Sequence, residues 1–189
     1  ELRLGGKPIP TLQSIDVSDK VIYMNTFTKT LSSTVRISYM VLPASLTELF
    51  YKKLSFYSCT VSNFEQYTLA RFMESGSFEK HINRLRNYYQ NKRDAILEIF
   101  KTAPLDQYIT IKEEDSGVHF MMKLKTDRTE MDMISDAKSK GIKLAPLSKY
   151  FVDQTSNMNF QNVYVMNYSS IDLEQLPLIF DALCHILMN

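Results

Sequence analysis

The sequence predicts an α/β fold followed by a small α+β domain, and three patterns support this prediction. Two β-rich runs, 21–27 and 36–42, bracket a short polar turn, and such apolar runs suit strands covered on both faces of an α/β sheet. A long amphipathic helix is predicted from Ser77 onward. Beyond it, short strands and helices alternate anew. We therefore place the domain boundary on this helix, with residues 1–80 in the first domain and 81–189 in the second.

The first of these two regions is predicted to contain the two strands and two further helices. Residues 1–20 contain two glycines and two prolines, and they should form an extended connector. Apolar residues at helical spacing predict a helix over 44–57. Thr60 or Ser62 can cap the next helix, and Gly76 can end it. These two helices are expected to cover the sheet.

The second region is predicted to begin with the long helix and to continue as a small mixed domain. Its predicted strands cover residues 108–112, 118–124, 142–145 and 163–168. Its later helices are predicted to begin at Thr129 and after Ser170 or Asp172, and a polar loop is predicted over 153–162. This alternation indicates an α+β arrangement without internal repeats.

The polar turn between the first two strands holds Lys29, the strongest candidate for chemistry. A lysine just beyond a buried strand faces a low-dielectric surrounding that disfavours its ammonium form, which suits imine chemistry. Thr26 and Thr28 offer hydroxyls beside it, and Arg36 follows seven positions later with a guanidinium that matches a phosphate. Together these groups describe a site for a phosphorylated aldehyde. From spacing alone, a solvated loop lysine and a surface arginine remain the more frequent explanation.

The segment TFTKTLSSTVRISYMVLP, residues 26–43, resembles the cofactor-lysine segment of fold-type I pyridoxal-phosphate (PLP) enzymes, the aspartate aminotransferase superfamily. More narrowly, it is similar to the aminotransferase-like domain of MocR regulators, a branch of the GntR family of bacterial transcription factors. The stretch ELRLGGKPIPTLQSID, residues 1–16, resembles the same subfamily and favours MocR over stand-alone aminotransferases. The likeness continues through residues 64–86, 117–120 and 146–151.

This resemblance implies a cofactor, a set of site residues and an assembly. By it, Lys29 forms the Schiff base with PLP, and Thr26 and Arg36 hold the cofactor phosphate. Thr28 belongs to the same cofactor-binding set. The resemblance also implies a homodimer, and it implies that the chain is the C-terminal part of the PLP-binding large domain followed by the small domain.

The chain departs from the family pattern at the turn. Ser33 and Thr34 stand where many relatives have Pro-Gly, and Ser38 stands where they have Gly, so the turn must form without the conformational freedom of glycine. The family's aspartate for the pyridine nitrogen, its ring-stacking aromatic residue and its glycine-bearing phosphate loop lie upstream of a segment like residues 1–16. We therefore expect a fragment of a larger protein, inactive and without stable PLP when alone.

A substrate clamp is also missing from the pattern. In many aminotransferases of this superfamily, an arginine in the last strand region binds the substrate α-carboxylate, but residues 163–170 contain no arginine. Either the substrate is held differently, or catalysis has been lost in favour of sensing. His119, in the GVHF segment, is either a substrate-side residue or a packed strand histidine.

Composition excludes several classes of protein. The 22 basic and 21 acidic residues give a net charge of +1, which is not the footprint of a nucleic-acid binder, so any DNA-reading module should lie elsewhere. Cys59 and Cys184 lack a CxxC partner and are expected to be buried thiols in a reducing compartment. Histidine spacing favours no metal site, and no apolar run has membrane-spanning length. A cytoplasmic location is the default.

Three hypotheses for function follow. The first is an effector domain of a GntR/MocR-family regulator, which binds PLP and an amine or amino-acid effector and reaches DNA only through a module outside this chain. The second is a fragment of a stand-alone PLP-dependent amino-acid aminotransferase. The third is a structural and dimerising module without bound cofactor. A winged-helix segment upstream would separate the first from the second.

Overall fold

The structure is a computed structural model that describes residues 2–5, 7, 9–112, 115, 117–152 and 160–188. Its backbone contacts divide the chain into two compact units. Unit 1 comprises Lys7–Arg84, and unit 2 comprises Leu2–Gly6 together with Leu85–Asn189. The division falls on the long helix, a few residues beyond residue 80. The assignment of residues 1–80 to the PLP-binding large domain and of residues 81–189 to the connecting helix and small domain stays a prediction.

Unit 1 is a two-stranded antiparallel sheet with helices that follow it in the chain. Tyr23 lies opposite Val41 at one end of the sheet, and Thr26 lies opposite Ser38 at the other. The strands are β1 (Tyr23–Thr26) and β2 (Ser38–Val41), and the helices are α1 (Ala44–Leu54), α2 (Asn63–Glu74) and the first part of α3 (Ser77–Phe100).

Helix α2 begins and ends where its sequence indicates. The Ser62 hydroxyl accepts a hydrogen bond from the Glu65 backbone N–H at 3.2 Å, and the Glu65 carboxylate accepts one from the Ser62 N–H at 3.3 Å. This reciprocal capping box satisfies two backbone donors that the first turn leaves free. Gly76, with φ +69°, follows the helix in the left-handed region that glycine favours.

The expected cover over both faces of β1 and β2 is not found within unit 1. β1 alternates between half-buried and exposed residues, β2 is exposed along its length, and α1 and α2 bury none of their residues. Two strands of four residues form only a small sheet, and α1 and α2 do not bury side chains against it. Among the described residues of unit 1, the buried ones are Phe27, Thr30, Pro43 and Ile82.

Unit 2 has a three-stranded antiparallel sheet in the order β3-β4-β5. The strands are β3 (Ile109–Lys112), β4 (His119–Leu124) and β5 (Val163–Asn167), and the helices are the rest of α3, α4 (Glu130–Ser139) and α5 (Leu176–Met188). Alternate side chains of β4 are buried, and Met122 lies opposite Tyr164 of β5. These side chains join residues of all three helices in one hydrophobic core.

The first residues of the chain contribute to this core instead of leading only into β1. Leu4 is buried in it, and its backbone N–H donates to the Asp115 carbonyl oxygen at 3.3 Å. The Asp115 carboxylate accepts from the buried Arg93 guanidinium at 2.7 Å. Asp94 accepts from the same guanidinium at 2.9 Å, so the buried charge is compensated.

The strand predicted over 142–145 is wrong. The segment runs beside β5 with one isolated bridge, between Pro146 and Tyr164, and one further hydrogen bond, from the Val165 N–H to the Ala145 carbonyl at 2.8 Å. Pairing does not extend to the start of the segment, because the Ile142 N–H donates instead to the Ala137 carbonyl at the end of α4, at 2.8 Å. The loop predicted over 153–162 falls partly outside the described residues.

None of the helices in the part of the chain that the structure describes is long and apolar enough to cross a membrane.

The pH dependence of stability gives a test of the unit 2 core. Burial raises the pKa of Tyr168 from 10.0 to about 12, and its hydroxyl donates to the Gly117 carbonyl. Between about pH 10 and about pH 12 the unfolded chain releases this proton and the folded chain keeps it, so the unfolding free energy falls as pH rises. Tyr168→Phe should remove the contribution of this tyrosine to the decrease in unfolding free energy. Urea unfolding measured at several pH values across that range tests this.

A matched control is Tyr150→Phe, since Tyr150 is 68% exposed. The unfolding free energy of that variant should decrease with rising pH as it does in the wild type. Burial also raises the pKa of Tyr164, so some alkaline loss persists in every variant. Equal slopes for wild type and Tyr168→Phe would contradict the assignment.

Candidate functional site

Backbone hydrogen bonds shape the connection between β1 and β2, residues 27–37, which we call the lysine turn. The Phe27 N–H donates to the Ile37 carbonyl at 3.0 Å and extends the strand pairing by one step. The Phe27 carbonyl then accepts from the N–H groups of Thr30 at 3.2 Å and Leu31 at 2.8 Å. The bend that carries Lys29 is therefore closed by the backbone of its own neighbours.

Two threonine hydroxyls tie the ends of the lysine turn together. Thr26 Oγ1 donates to the Ile37 carbonyl at 3.1 Å, and Thr28 Oγ1 donates to the Val35 carbonyl at 3.2 Å. The two hydroxyl oxygens lie 3.0 Å apart. Because the accepting carbonyls precede and follow Arg36 in the chain, the threonines fix the backbone on both sides of that residue.

The lysine turn forms without glycine, as the departures from the family pattern require. The Ser32 carbonyl accepts from the Val35 N–H at 3.0 Å, and the hydroxyls of Ser32 and Thr34 lie 2.8 Å apart. Within the described residues, the non-glycine residues with positive φ are Asp19 and Asn162, both outside this turn. Serine and threonine therefore meet no backbone strain here.

Lys29 and Arg36 are both exposed. The low-dielectric surrounding expected for Lys29 is therefore not supplied by unit 1, because the strands on either side of it are themselves only partly covered. The structure does place the four predicted site residues on one short stretch that hydrogen bonds close upon itself. Their roles in cofactor binding stay a prediction.

The groups on this stretch fit a phosphorylated aldehyde in a specific way. Lys29 offers an exposed amine and Arg36 an exposed guanidinium with several donors. The hydroxyls of Thr26 and Thr28 have one proton each, and each hydroxyl contacts a backbone carbonyl as well as the other hydroxyl. Because these protons are used within the turn, the threonines serve mainly to brace the backbone. On this stretch Arg36 therefore offers more donors to an anion than the two threonines, whose protons are directed to the backbone.

Contacts between the lysine turn and α3 were not predicted from the sequence. The His81 ring nitrogen Nε2 lies 2.9 Å from the Thr30 carbonyl oxygen, although 51 positions separate the two residues. The Phe27 ring packs edge-on against Phe78, with 6.1 Å between ring centroids. No local spacing signals such long-range contacts, since periodicity reports only which face of a helix is apolar.

His119 lies in unit 2, where β4 places it opposite Asn167 of β5, and it is exposed. Its substrate-side role stays a prediction.

The other sequence candidates have different outcomes. The prediction that both cysteines are buried is wrong for Cys59, which is exposed in the loop before α2, where little structure covers it. Cys184 is half-buried, and burial raises the pKa of its thiol. Within the described ranges, no group of three His, Cys, Asp or Glu residues could hold a metal ion.

Comparisons with known proteins bear on this arrangement. The uncharacterized HTH-type transcriptional regulator YdeL of Bacillus subtilis is 40% identical over 148 residues, which cover 78% of this chain and 32% of that protein. The probable rhizopine catabolism regulatory protein MocR of Rhizobium meliloti is 30% identical over 172 residues, 91% of this chain and 34% of that protein. The chain thus spans about a third of the length of these curated relatives. No model of a known protein family matches it.

The solved structure of Pyrococcus horikoshii kynurenine aminotransferase, in complex with PMP, matches 99% of this chain and 45% of its own, with a TM-score of 0.78 at 24% identity. This match confirms the predicted fold class, that of fold-type I PLP-dependent transferases. The resemblance to the aminotransferase-like part of MocR-type regulators is confirmed as well.

The bracing role of the threonines can be tested by Thr28→Val, which keeps the branched shape but removes the hydroxyl. Loss of its hydrogen bond to the Val35 carbonyl should lower the unfolding free energy by about 1 kcal/mol. Amide exchange in the lysine turn should accelerate as well. Thr60→Val, at an exposed loop position, is the control and should change neither quantity. If the two variants behave alike, Thr28 does not brace the turn.

Proposed function

We propose that this chain is the PLP-binding effector part of a MocR-type transcriptional regulator. The observation that carries the proposal is the lysine turn, where an exposed amine and an exposed guanidinium lie on a stretch closed by two threonine hydroxyls. YdeL, an HTH-type transcriptional regulator by its name, and MocR, a probable regulatory protein by its name, support the same conclusion. The aminotransferase described in complex with PMP supports a cofactor of this class.

Each site residue has a distinct role in this proposal. Lys29 would hold PLP covalently through its side-chain amine. Arg36 would bind the phosphate, since its planar guanidinium matches two phosphate oxygens at once. Thr26 and Thr28 keep the backbone around Arg36 in place, and either hydroxyl would share in phosphate binding only by giving up its hydrogen bond to a carbonyl. When bound, the cofactor supplies an electron sink for amine chemistry, while the protein supplies binding and orientation.

Regulation would follow from binding of an amine or amino-acid effector at the same lysine. A ligand shifts a conformational equilibrium only by its differential affinity for the two states. The effector must therefore bind one arrangement of the regulator better than the other. The proposal includes a homodimer, a cytoplasmic location and DNA contact through a module outside these 189 residues.

A stand-alone aminotransferase is the second candidate, and the fold shared with kynurenine aminotransferase favours it. The 40% identity to the regulator YdeL favours the first candidate. A winged-helix segment encoded upstream in the same reading frame would decide for the regulator. Its absence would decide for the enzyme.

The assignment of Lys29 is tested on the full-length protein incubated with PLP, reduced with borohydride and digested for mass spectrometry. One pyridoxyl group should be found on Lys29, and Lys29→Ala should lose both this label and the visible absorbance of the covalent complex. Lys53→Ala, at an exposed position of α1, should keep both. The 189-residue chain alone should retain less than one equivalent of PLP.

A stoichiometric label elsewhere in the wild type, or an undiminished label in Lys29→Ala, would show that the assignment is wrong.

A further inference from the structure

We infer that His81 is a positioning residue for Lys29, because its imidazole N–H holds the carbonyl of Thr30, the residue that follows the lysine. The inference rests on the proposed function for what Lys29 does. The contact itself is a property of unit 1 alone, since both residues lie within it.

The hydrogen bond joins α3 to the lysine turn. His81 Nε2 lies 2.9 Å from the Thr30 carbonyl oxygen, and Thr30 is only 6% exposed. A carbonyl accepts only, so the ring nitrogen must carry the proton. The neutral Nε2–H tautomer and the imidazolium both satisfy this requirement, whereas the Nδ1–H tautomer does not.

A second anchor lies on the other side of the lysine. Phe27 is buried, and its ring contacts Tyr39 at 5.3 Å and Phe78 at 6.1 Å between centroids. Lys29 therefore lies between two buried residues, Phe27 held by aromatic packing and Thr30 held by His81. The backbone at the lysine is fixed although the residue itself is exposed.

The hydrogen bond is separable from the packing of the ring. The His81 ring also contacts Phe72, with 6.4 Å between centroids and 60° between planes. His81→Phe keeps a ring beside Phe72 and removes the donor. His81→Gln removes the ring and keeps an N–H donor at a similar distance from the backbone.

The first measurement is amide hydrogen exchange on the full-length protein, without PLP, at Thr30 and Leu31. Their N–H groups donate to the Phe27 carbonyl and report opening of the bend. Exchange should be about tenfold faster in His81→Phe and within about threefold of wild type in His81→Gln, because one hydrogen bond is lost in the first and kept in the second. A peptide from β5 is the internal control and should not change.

The second measurement is the rate of pyridoxyl labelling at Lys29 after borohydride reduction. A positioning role predicts slower labelling in His81→Phe and recovery in His81→Gln. Unchanged exchange in His81→Phe overturns the inference, as does faster exchange with wild-type labelling. If wild-type Lys29 takes no label, the proposed function fails, whereas tenfold faster exchange in His81→Phe would still support the His81 contact.

A third measurement needs no variant and covers the case in which His81→Phe does not fold. Nitrogen-15 spectra of histidine-labelled wild-type protein, at a pH where the ring is neutral, distinguish the two tautomers. The Nε2–H tautomer at His81 supports the hydrogen bond. The Nδ1–H tautomer overturns it.

Discussion

The closure of the lysine turn by Thr26 and Thr28 is the constraint on which the candidate site depends. Their hydroxyls reach carbonyls on both sides of Arg36, so the backbone that carries the guanidinium cannot move without breaking at least one of these bonds. The N–H of Phe27 adds a third link, to the same Ile37 carbonyl that Thr26 uses. A site that must hold an amine and a guanidinium at a fixed separation needs such bracing, because its side chains are not held by burial.

Burial is distributed unequally between the two units, and the site lies on the unit with less of it. The main hydrophobic core belongs to unit 2, which includes Leu4 from the first residues of the chain. In unit 1, α1 and α2 expose their apolar residues, among them Phe64 at 80% and Tyr67 at 73%. Regions with few buried contacts open more readily. Hydrogen bonds such as those of the Ser62 capping box and the His81 contact therefore contribute a larger share of the stability of unit 1 than they would in a unit with a large hydrophobic core.

Local signals in the sequence predicted most elements, while contacts between distant residues could not be predicted. Ser62 and Gly76 mark the ends of α2 because capping depends on residues three or four positions apart. The strand expected at 142–145 was wrong because an apolar run does not reveal whether the neighbouring strand can pair with it, and the Ile142 N–H is bonded to the end of α4. The prediction that helices cover β1 and β2 was wrong for a similar reason, since hydrophobic periodicity does not report how much apolar surface packs against a strand. The contact of His81 with Thr30 joins positions 51 apart and has no local signature.

Lys29 and Arg36 are two positive charges on one turn. Because both side chains are exposed to water, the repulsion between them is small. At about 4 Å, two unit charges in water interact by about 1 kcal/mol, and salt screens them further. The lysine turn can therefore carry Lys29 and Arg36 at a small electrostatic cost. The same screening means that a phosphate gains little from the field of the turn alone. In the proposed function, PLP would be held by the paired donors of the Arg36 guanidinium to its phosphate and by a covalent bond between its aldehyde carbon and the Lys29 amine. Both would depend on the backbone geometry that the Thr26, Thr28 and His81 hydrogen bonds maintain.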